Sequence, residues 1–146
     1  MPELKVNQVK LEALLDAISK INNAYNPDGD LYHLRNPLKV KSFARPGKHQ
    51  ITEDGLRIFP SILAGMKAGL FDLELKIKGQ SRAGLKTTDS LSSLLGLYGV
   101  QSKQAVDSVV SFLRRAMKDQ NIKASTELSY FIEQPCTENV QNTEAI

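Results

Sequence analysis

The chain has 146 residues, of which 41% are hydrophobic and 24% are charged, and its formal net charge is +3. This balance predicts one globular domain with its own core and excludes a collagen-like or intrinsically disordered chain. The single cysteine, Cys136, excludes an internal disulfide framework. The chain shows no apolar run of roughly 18–20 residues and no apolar N-terminal segment, so we expect neither a membrane span nor a secretion signal.

The first predicted element is a helix that ends at two asparagines. Apolar residues recur at three- and four-residue steps, which places most of them on one helical face. The set is Val6, Val9, Leu11, Leu14, Leu15, Ile18 and Ile21. Asn22 and Asn23 follow, and asparagine tolerates the left-handed backbone conformation with which many helices end. We therefore expect the helix to stop at these two residues.

A turn and a short hairpin are predicted next. Residues 26–30, NPDGD, form a dense turn signal. Alternating apolar and basic residues predict a strand over residues 38–43, and GLRIF, residues 55–59, predicts a second strand. We expect the two strands to pair through a loop at residues 46–54.

The second half of the chain predicts three helices and a short final element. The first helix opens at Pro60 and Ser61 and runs through residue 78, the second begins at a cap formed by Thr88 or Asp89 and stops at Gly99, and the third spans residues 102–119. The final element lies at residues 126–132. The predicted core positions are Ile62, Leu63, Met66, Leu70, Leu73, Ile77, Leu91, Leu94, Leu95, Tyr98, Val106, Val109, Val110, Leu113, Met117, Leu128, Phe131 and Ile132.

These elements predict a mainly α domain with a small two-stranded β excursion at residues 1–132. Residues 133–146 are rich in glutamate and contain no basic residue, which predicts an acidic flexible tail. Within the predicted helix at residues 60–78, the step from Gly65 to Gly69 indicates close packing of another helix.

Basic residues crowd the segment between the first two predicted helices. The basic patch consists of Lys39, Lys41, Arg45 and Lys48, and a second cluster consists of Lys76, Lys78, Arg82 and Lys86. Such patches attract anions in general, including nucleic acid and acidic protein surfaces, but they also occur as ordinary solvated faces. Since few aromatic residues lie among these charges, any binding to nucleic acid is expected to be weak and dependent on salt.

Several segments, in order, resemble a group of phage and prophage lysozyme-like proteins. They are RNP (residues 35–37), GLRIFPSILAGMKAGLFDLELKIKGQSRAGL (55–85), TDSLSSLLGLYG (88–99) and STELSYF (125–131). The group carries an Asn-Pro-Gly-Asn-Leu motif, of which Asn36 and Pro37 remain here. The resemblance covers most of residues 13–131. It implies a lysozyme-like fold with a cleft between the first helix and the hairpin, Asn36 and Pro37 lying in the cleft wall.

The catalytic position of that group is altered in this chain. The first helix of the group ends in a glutamate that looks like the catalytic acid, and the resemblance places Asn22 at that position. A carboxamide has no acidic proton to give to a leaving sugar oxygen, so hydrolysis is not expected. If the protein is nevertheless active, Glu53 and Asp54, across the predicted hairpin, are the candidates for the missing acid.

Neither a metal site nor a cofactor is predicted. His33 and His49 are sixteen residues apart, without a ligand-spaced partner. The leading hypothesis is therefore a phage-derived lysozyme-like protein that has lost hydrolysis and serves as a structural or binding component. Its expected partners are other virion proteins or peptidoglycan, and its expected location is the virion, or the host cytoplasm during assembly. The alternatives are an active peptidoglycan hydrolase, of lysozyme or lytic transglycosylase type, and a basic adaptor that binds nucleic acid or assists assembly.

Overall fold

A computed structural model describes residues 5–23, 26–29, 32, 35–38, 50–51, 57–80 and 84–133 of the chain. The protein is mainly α-helical, as the sequence predicts. The α-helices given by the described residues are α1 (Gln8–Ile21), α2 (Ile62–Ile77), α3 (Leu91–Gly96) and α4 (Lys103–Met117), followed by a 3-10 helix, η1 (Leu128–Phe131). Strands β1 (Gln50–Ile51) and β2 (Arg57–Ile58) form a two-stranded antiparallel sheet. No helix in this described part is long and apolar enough to cross a membrane.

The partner of strand β2 is not the one predicted, and residues 39–43 of the predicted first strand lie outside the described residues. Strand β2 lies within the predicted residues 55–59, but its partner is β1, which comes from the segment expected to be a loop; Gln50 is opposite Ile58 and Ile51 is opposite Arg57. Leu38, the described part of the strand predicted at residues 38–43, lies in a turn and is fully buried. The observed partners are separated by only five residues, and a short connection costs less closure entropy than a long one.

Side chains cap the N-termini of all four of these α-helices. In each case an oxygen of the cap residue accepts a hydrogen bond of 3.1 Å from the backbone N–H three residues later. The caps are Asn7, Ser61, Ser90 and Ser102. The cap of α3 is thus Ser90, not Thr88 or Asp89, because the carboxylate of Asp89 instead accepts a hydrogen bond from the N–H of Lys86 in the preceding turn (2.7 Å).

One hydrophobic cluster joins the helices. Helix α1 packs chiefly against α4 and also against α2. The cluster confirms the predicted inward positions of α3 and η1 and the valines and Leu113 of α4. Its largest fully buried side chains are Leu11, Leu14, Leu15, Ile18, Leu38, Leu73, Ile77, Leu91, Leu94, Leu95, Leu113 and Phe131.

Four residues of the apolar sets predicted for α1 and α2 are exposed. Val9 is 69% exposed because it lies about 200° around α1 from Leu11, on the opposite side of the helix. Ile21 lies in the last turn of α1 and is 37% exposed. Ile62 and Leu63, in the first turn of α2, are 38% and 58% exposed. Of the stripe predicted for α2, Leu73 and Ile77 are buried and Met66 and Leu70 pack against the core, so apolar spacing identifies the buried face of both helices and fails in their terminal turns.

The two ends of the described chain meet beside α1. Val6 and Ile132 form an isolated antiparallel bridge, and the N–H of Asn7 donates to the carbonyl of Phe131 (2.8 Å). The Lys10 ammonium donates to the Tyr130 carbonyl (2.9 Å) and lies 3.8 Å from the centre of that ring. The final element, predicted from a short apolar run, thereby closes the core over the start of α1.

Candidate functional site at the end of helix α1

Helix α1 ends at the two asparagines predicted to stop it. Asn22 is the C-cap residue, and its N–H donates to the carbonyl of Ile18 (3.0 Å). Asn23 follows in the left-handed conformation, with φ of 60°, and its N–H donates to the carbonyl of Lys20 (3.1 Å). Both residues act in ending the helix, which is the role asparagine commonly has at this position.

The side chain of Asn22 connects α1 to the segment that follows α3. Its amide nitrogen, Nδ2, donates to the backbone carbonyl of Tyr98 at 2.9 Å, across 76 residues of sequence. Only the NH₂ group of the amide can donate this bond, since a carboxylate at the same place would offer acceptors alone. The atom group that distinguishes Asn22 from an acid is therefore the one that makes the contact.

The Tyr98 side chain extends this connection to α2. Its buried hydroxyl donates to Oδ2 of Asp72 at 2.5 Å, and the Lys76 ammonium lies 2.5 Å from the same oxygen. The ammonium is also 4.9 Å from the centre of the Tyr98 ring, within reach of a cation–π contact. We refer to Asn22, Asp72, Lys76 and Tyr98 as the α1-end cluster.

The Tyr98 hydroxyl holds its proton strongly. Burial raises the pKa of this phenol, and the negative charge of Asp72 and the hydrogen bond to it raise the pKa further. At neutral pH the hydroxyl is thus a hydrogen-bond donor and a poor proton source. Asp72 is the acceptor of both the phenol and the ammonium. This arrangement suits joining three elements of the fold better than transferring a proton to a substrate.

We expect the Tyr98 phenol to make stability depend on pH in the alkaline range. Unfolded tyrosine loses its proton near pH 10, whereas folded Tyr98 retains it, so the stabilisation is complete below about pH 10 and is lost as pH rises further, by up to about 1.4 kcal/mol per pH unit. Urea unfolding at a series of alkaline pH values should show a shallower loss for Tyr98→Phe than for the wild type. Tyr130→Phe is the control, because Tyr130 is less buried and its removal should change the slope less. Equal slopes for Tyr98→Phe and the wild type would contradict this role.

The remaining part of the Asn-Pro motif is buried against α2. Asn36 and Leu38 are fully buried, and Pro37 is also buried. Arg35 precedes them with a left-handed backbone, φ 54°, and its Nη1 donates to the carbonyl of Phe59 (3.2 Å). The Arg35 carbonyl lies so close to Gly65 that a Cβ there would be 1.8 Å from its oxygen. The helix packing predicted at these glycines is confirmed at Gly69, where a Cβ would lie 3.0 Å from Leu15 of α1, whereas the element that approaches Gly65 is this segment and not a helix.

Most of the other residues singled out from the sequence lie outside the described part of the chain. Glu53 and Asp54, proposed as substitute acids, lie outside it, as does the basic patch of Lys39, Lys41, Arg45 and Lys48. His33, His49 and Cys136 also lie outside it. Asp28 is described and occupies an exposed turn, where its own N–H donates to Oδ1 of Asn26 (3.0 Å).

Asp72 and Lys76 were not identified as site residues from the sequence. Asp72 and Lys76 are four residues apart on one helix, a spacing at which an ion pair is expected from sequence alone. Tyr98 was correctly predicted to point inward. However, the contact between its hydroxyl and Asp72 joins residues 26 positions apart, and no sequence pattern indicates it.

Among the residues that the structure describes, no group of three or more His, Cys, Asp or Glu side chains is placed to hold a metal ion. The cluster contains one carboxylate, one ammonium, one phenol and one amide, and each makes a contact with another member. Comparison with protein-family models, with curated proteins and with solved structures finds no match to the chain.

Proposed function

We propose that the protein is a phage-derived, lysozyme-like protein that does not hydrolyse glycosides and that serves as a structural or binding component of the virion. The observation that carries this proposal is the hydrogen bond from Asn22 Nδ2 to the Tyr98 carbonyl. At the position where the resembled group has its acid, this chain has a neutral donor engaged in joining α1 to the segment after α3.

Glycoside hydrolysis requires a carboxylic acid that can protonate the leaving oxygen, and a second carboxylate to act as base or nucleophile. The α1-end cluster does not supply this pair, because Asp72 is its one carboxylate. Its acidic proton belongs to Tyr98, whose pKa is raised, and its one carboxylate, Asp72, already accepts from Tyr98 and Lys76. The polar groups at this end of α1 hold helices together and are not arranged for acid–base chemistry.

Retention of a fold without its catalytic acid is consistent with a role that depends on shape. The mainly helical architecture agrees with the resemblance at the level of fold class, while the lysozyme-like arrangement and the virion location remain parts of the proposal. On this proposal the partners are other virion proteins or peptidoglycan, and the protein is located in the virion, or in the host cytoplasm during assembly.

The direct test is incubation of the purified protein with peptidoglycan, followed by measurement of released fragments. We expect the wild-type protein to release no fragments. We also expect to detect the protein in purified virus particles. Activity created by Asn22→Glu would support loss of the acid at this position, with Asn23→Glu as the control one residue further along. Wild-type turnover that is abolished by Glu53→Gln or Asp54→Asn would overturn the proposal and favour an active hydrolase. Tight, sequence-selective binding of nucleic acid would instead favour the adaptor.

A further inference from the structure

Helix α2 carries apolar residues on its outward side as well as on its inward side. Its buried side consists of Gly65, Gly69, Leu73 and Ile77. Phe71, on the opposite side, is 63% exposed, and Leu63, on the flank between the two sides, is 58% exposed. A helix that is apolar around most of its circumference is usually buried on all sides, because apolar surface is costly to leave in water. The outward side of α2 therefore has the composition of an interface.

We propose that the outward face of α2 binds the same face of a second copy of this chain, with the two helices antiparallel. The charges on the face support this choice of partner. Lys67 lies between Leu63 and Phe71, is exposed, and has no ionic partner among the residues that the structure describes. Glu74 lies on the same flank of the helix and is paired with Lys78 through one carboxylate oxygen, Oε2, at 3.0 Å.

The spacing of these charges fits a twofold axis. Lys67 and Glu74 are seven residues apart, which is two turns and about 10 Å along the helix. When two antiparallel copies are related by a twofold axis through the midpoint of that interval, Lys67 of each copy faces Glu74 of the other. A twofold interface requires this reciprocity, because each contact between Lys67 of one copy and Glu74 of the other occurs twice, once on each side of the axis.

The apolar residues fit the same axis. Phe71 lies next to the midpoint, so the two phenylalanines meet at the centre of the interface, where buried aromatic side chains contribute most to binding. Ala64 and Ala68 lie on the flank opposite Lys67, and their small side chains permit the close approach of a second helix backbone. The self-association of α2 does not depend on the proposed function and applies equally to an active or an inactive protein.

Light scattering or sedimentation of the full chain over a wide concentration range tests the proposal. We expect a concentration-dependent dimer in the wild type and at least about tenfold weaker association for Phe71→Asp. Val9→Asp is the matched control, because Val9 is also exposed and apolar but lies on α1; it should leave association unchanged. A wild-type protein that stays monomeric over the whole concentration range overturns the proposal, whether the face of α2 is then bare or covered by another segment of the same chain. Equal association of Phe71→Asp and the wild type also overturns it.

Two milder variants keep the test decisive if Phe71→Asp does not fold. Lys67→Glu places two carboxylates opposite each other and should weaken association, whereas Lys67→Arg should preserve it. In a Cys136→Ser background, Ala68→Cys, which leaves Phe71 and Lys67 in place, should give a covalent dimer with a short bifunctional maleimide, while Leu97→Cys, exposed on another segment, should not. Cross-linking equal to that of Leu97→Cys, or unchanged association of Lys67→Glu, would contradict the antiparallel arrangement.

Discussion

Replacing Gly65 with alanine is expected to destabilise the protein by about 3 kcal/mol or more, beyond the usual range for one added methyl group. A Cβ at this position would lie 1.8 Å from the carbonyl oxygen of Arg35, 2.9 Å from its carbonyl carbon and 3.1 Å from Cδ of Pro37. Two of these atoms belong to the backbone, so the segment at residues 35–38 must move away from α2. That movement would uncover Asn36 and Leu38, which are fully buried.

The matched control for this substitution is Gly96→Ala. Gly96 is also helical, and a Cβ there would meet nothing within 4 Å, so alanine should be neutral or stabilise by up to about 1 kcal/mol. Urea unfolding of the two variants and the wild type at one pH measures the difference. A Gly65→Ala protein as stable as Gly96→Ala would contradict the close crossing of residues 35–38 over α2.

Truncation of Phe131 to alanine is the second change with a large expected effect, a loss of about 3–5 kcal/mol. The ring is fully buried in the shared core and packs edge-on against Tyr130, with ring centres 5.2 Å apart. The cavity would open beneath the bridge that joins Val6 to Ile132, so both ends of the described chain should loosen together.

The control is the same substitution at Phe71, which is 63% exposed. At a protein concentration low enough to keep the chain monomeric, Phe71→Ala should change stability by no more than about 0.5 kcal/mol. Thermal unfolding followed by circular dichroism separates the two variants. Similar melting temperatures for Phe131→Ala and Phe71→Ala would show that η1 contributes little to the core.

Elements with strong local signals were predicted well from the sequence. Helix α4 has valines and leucine at helical spacing behind a serine cap, and helix α1 has a comparable apolar face followed by two asparagines. In α4 the cap directly precedes the apolar residues, and in α1 the two asparagines directly follow them. Local agreement of this kind is what makes an element predictable from sequence.

Features that depend on distant contacts were not predictable in the same way. The pairing of β2 with β1, in place of residues 38–43, depends on which neighbouring segment closes the hairpin. The exposure of Leu63 could not be inferred either, because the apolar pattern of α2 continues into its first turn, where it does not distinguish inside from outside. Packing of residues 35–38 on Gly65 decides which side is buried.

The candidate site combines both kinds of information. The position of Asn22 at the end of α1 was anticipated from the run of apolar residues before it. Its bond to the Tyr98 carbonyl, and the further contact of Tyr98 with Asp72, join three elements that are far apart in sequence. The sequence could therefore place Asn22 at the end of α1 but could not indicate what its side chain contacts.

The structural role of Asn22, on which the proposed loss of hydrolysis depends, is tested most directly by the stability of Asn22→Asp at neutral pH. Aspartate has nearly the same shape but cannot donate to the Tyr98 carbonyl when ionised, so it leaves that acceptor facing a second acceptor. Asn23→Asp is the control, since it places the same charge at the same helix end on an exposed residue and shares any unfavourable interaction with the helix dipole. We predict that Asn22→Asp lowers the free energy of unfolding by about 1–2 kcal/mol more than Asn23→Asp does. An Asn22→Asp protein as stable as Asn23→Asp would contradict the structural role of Asn22.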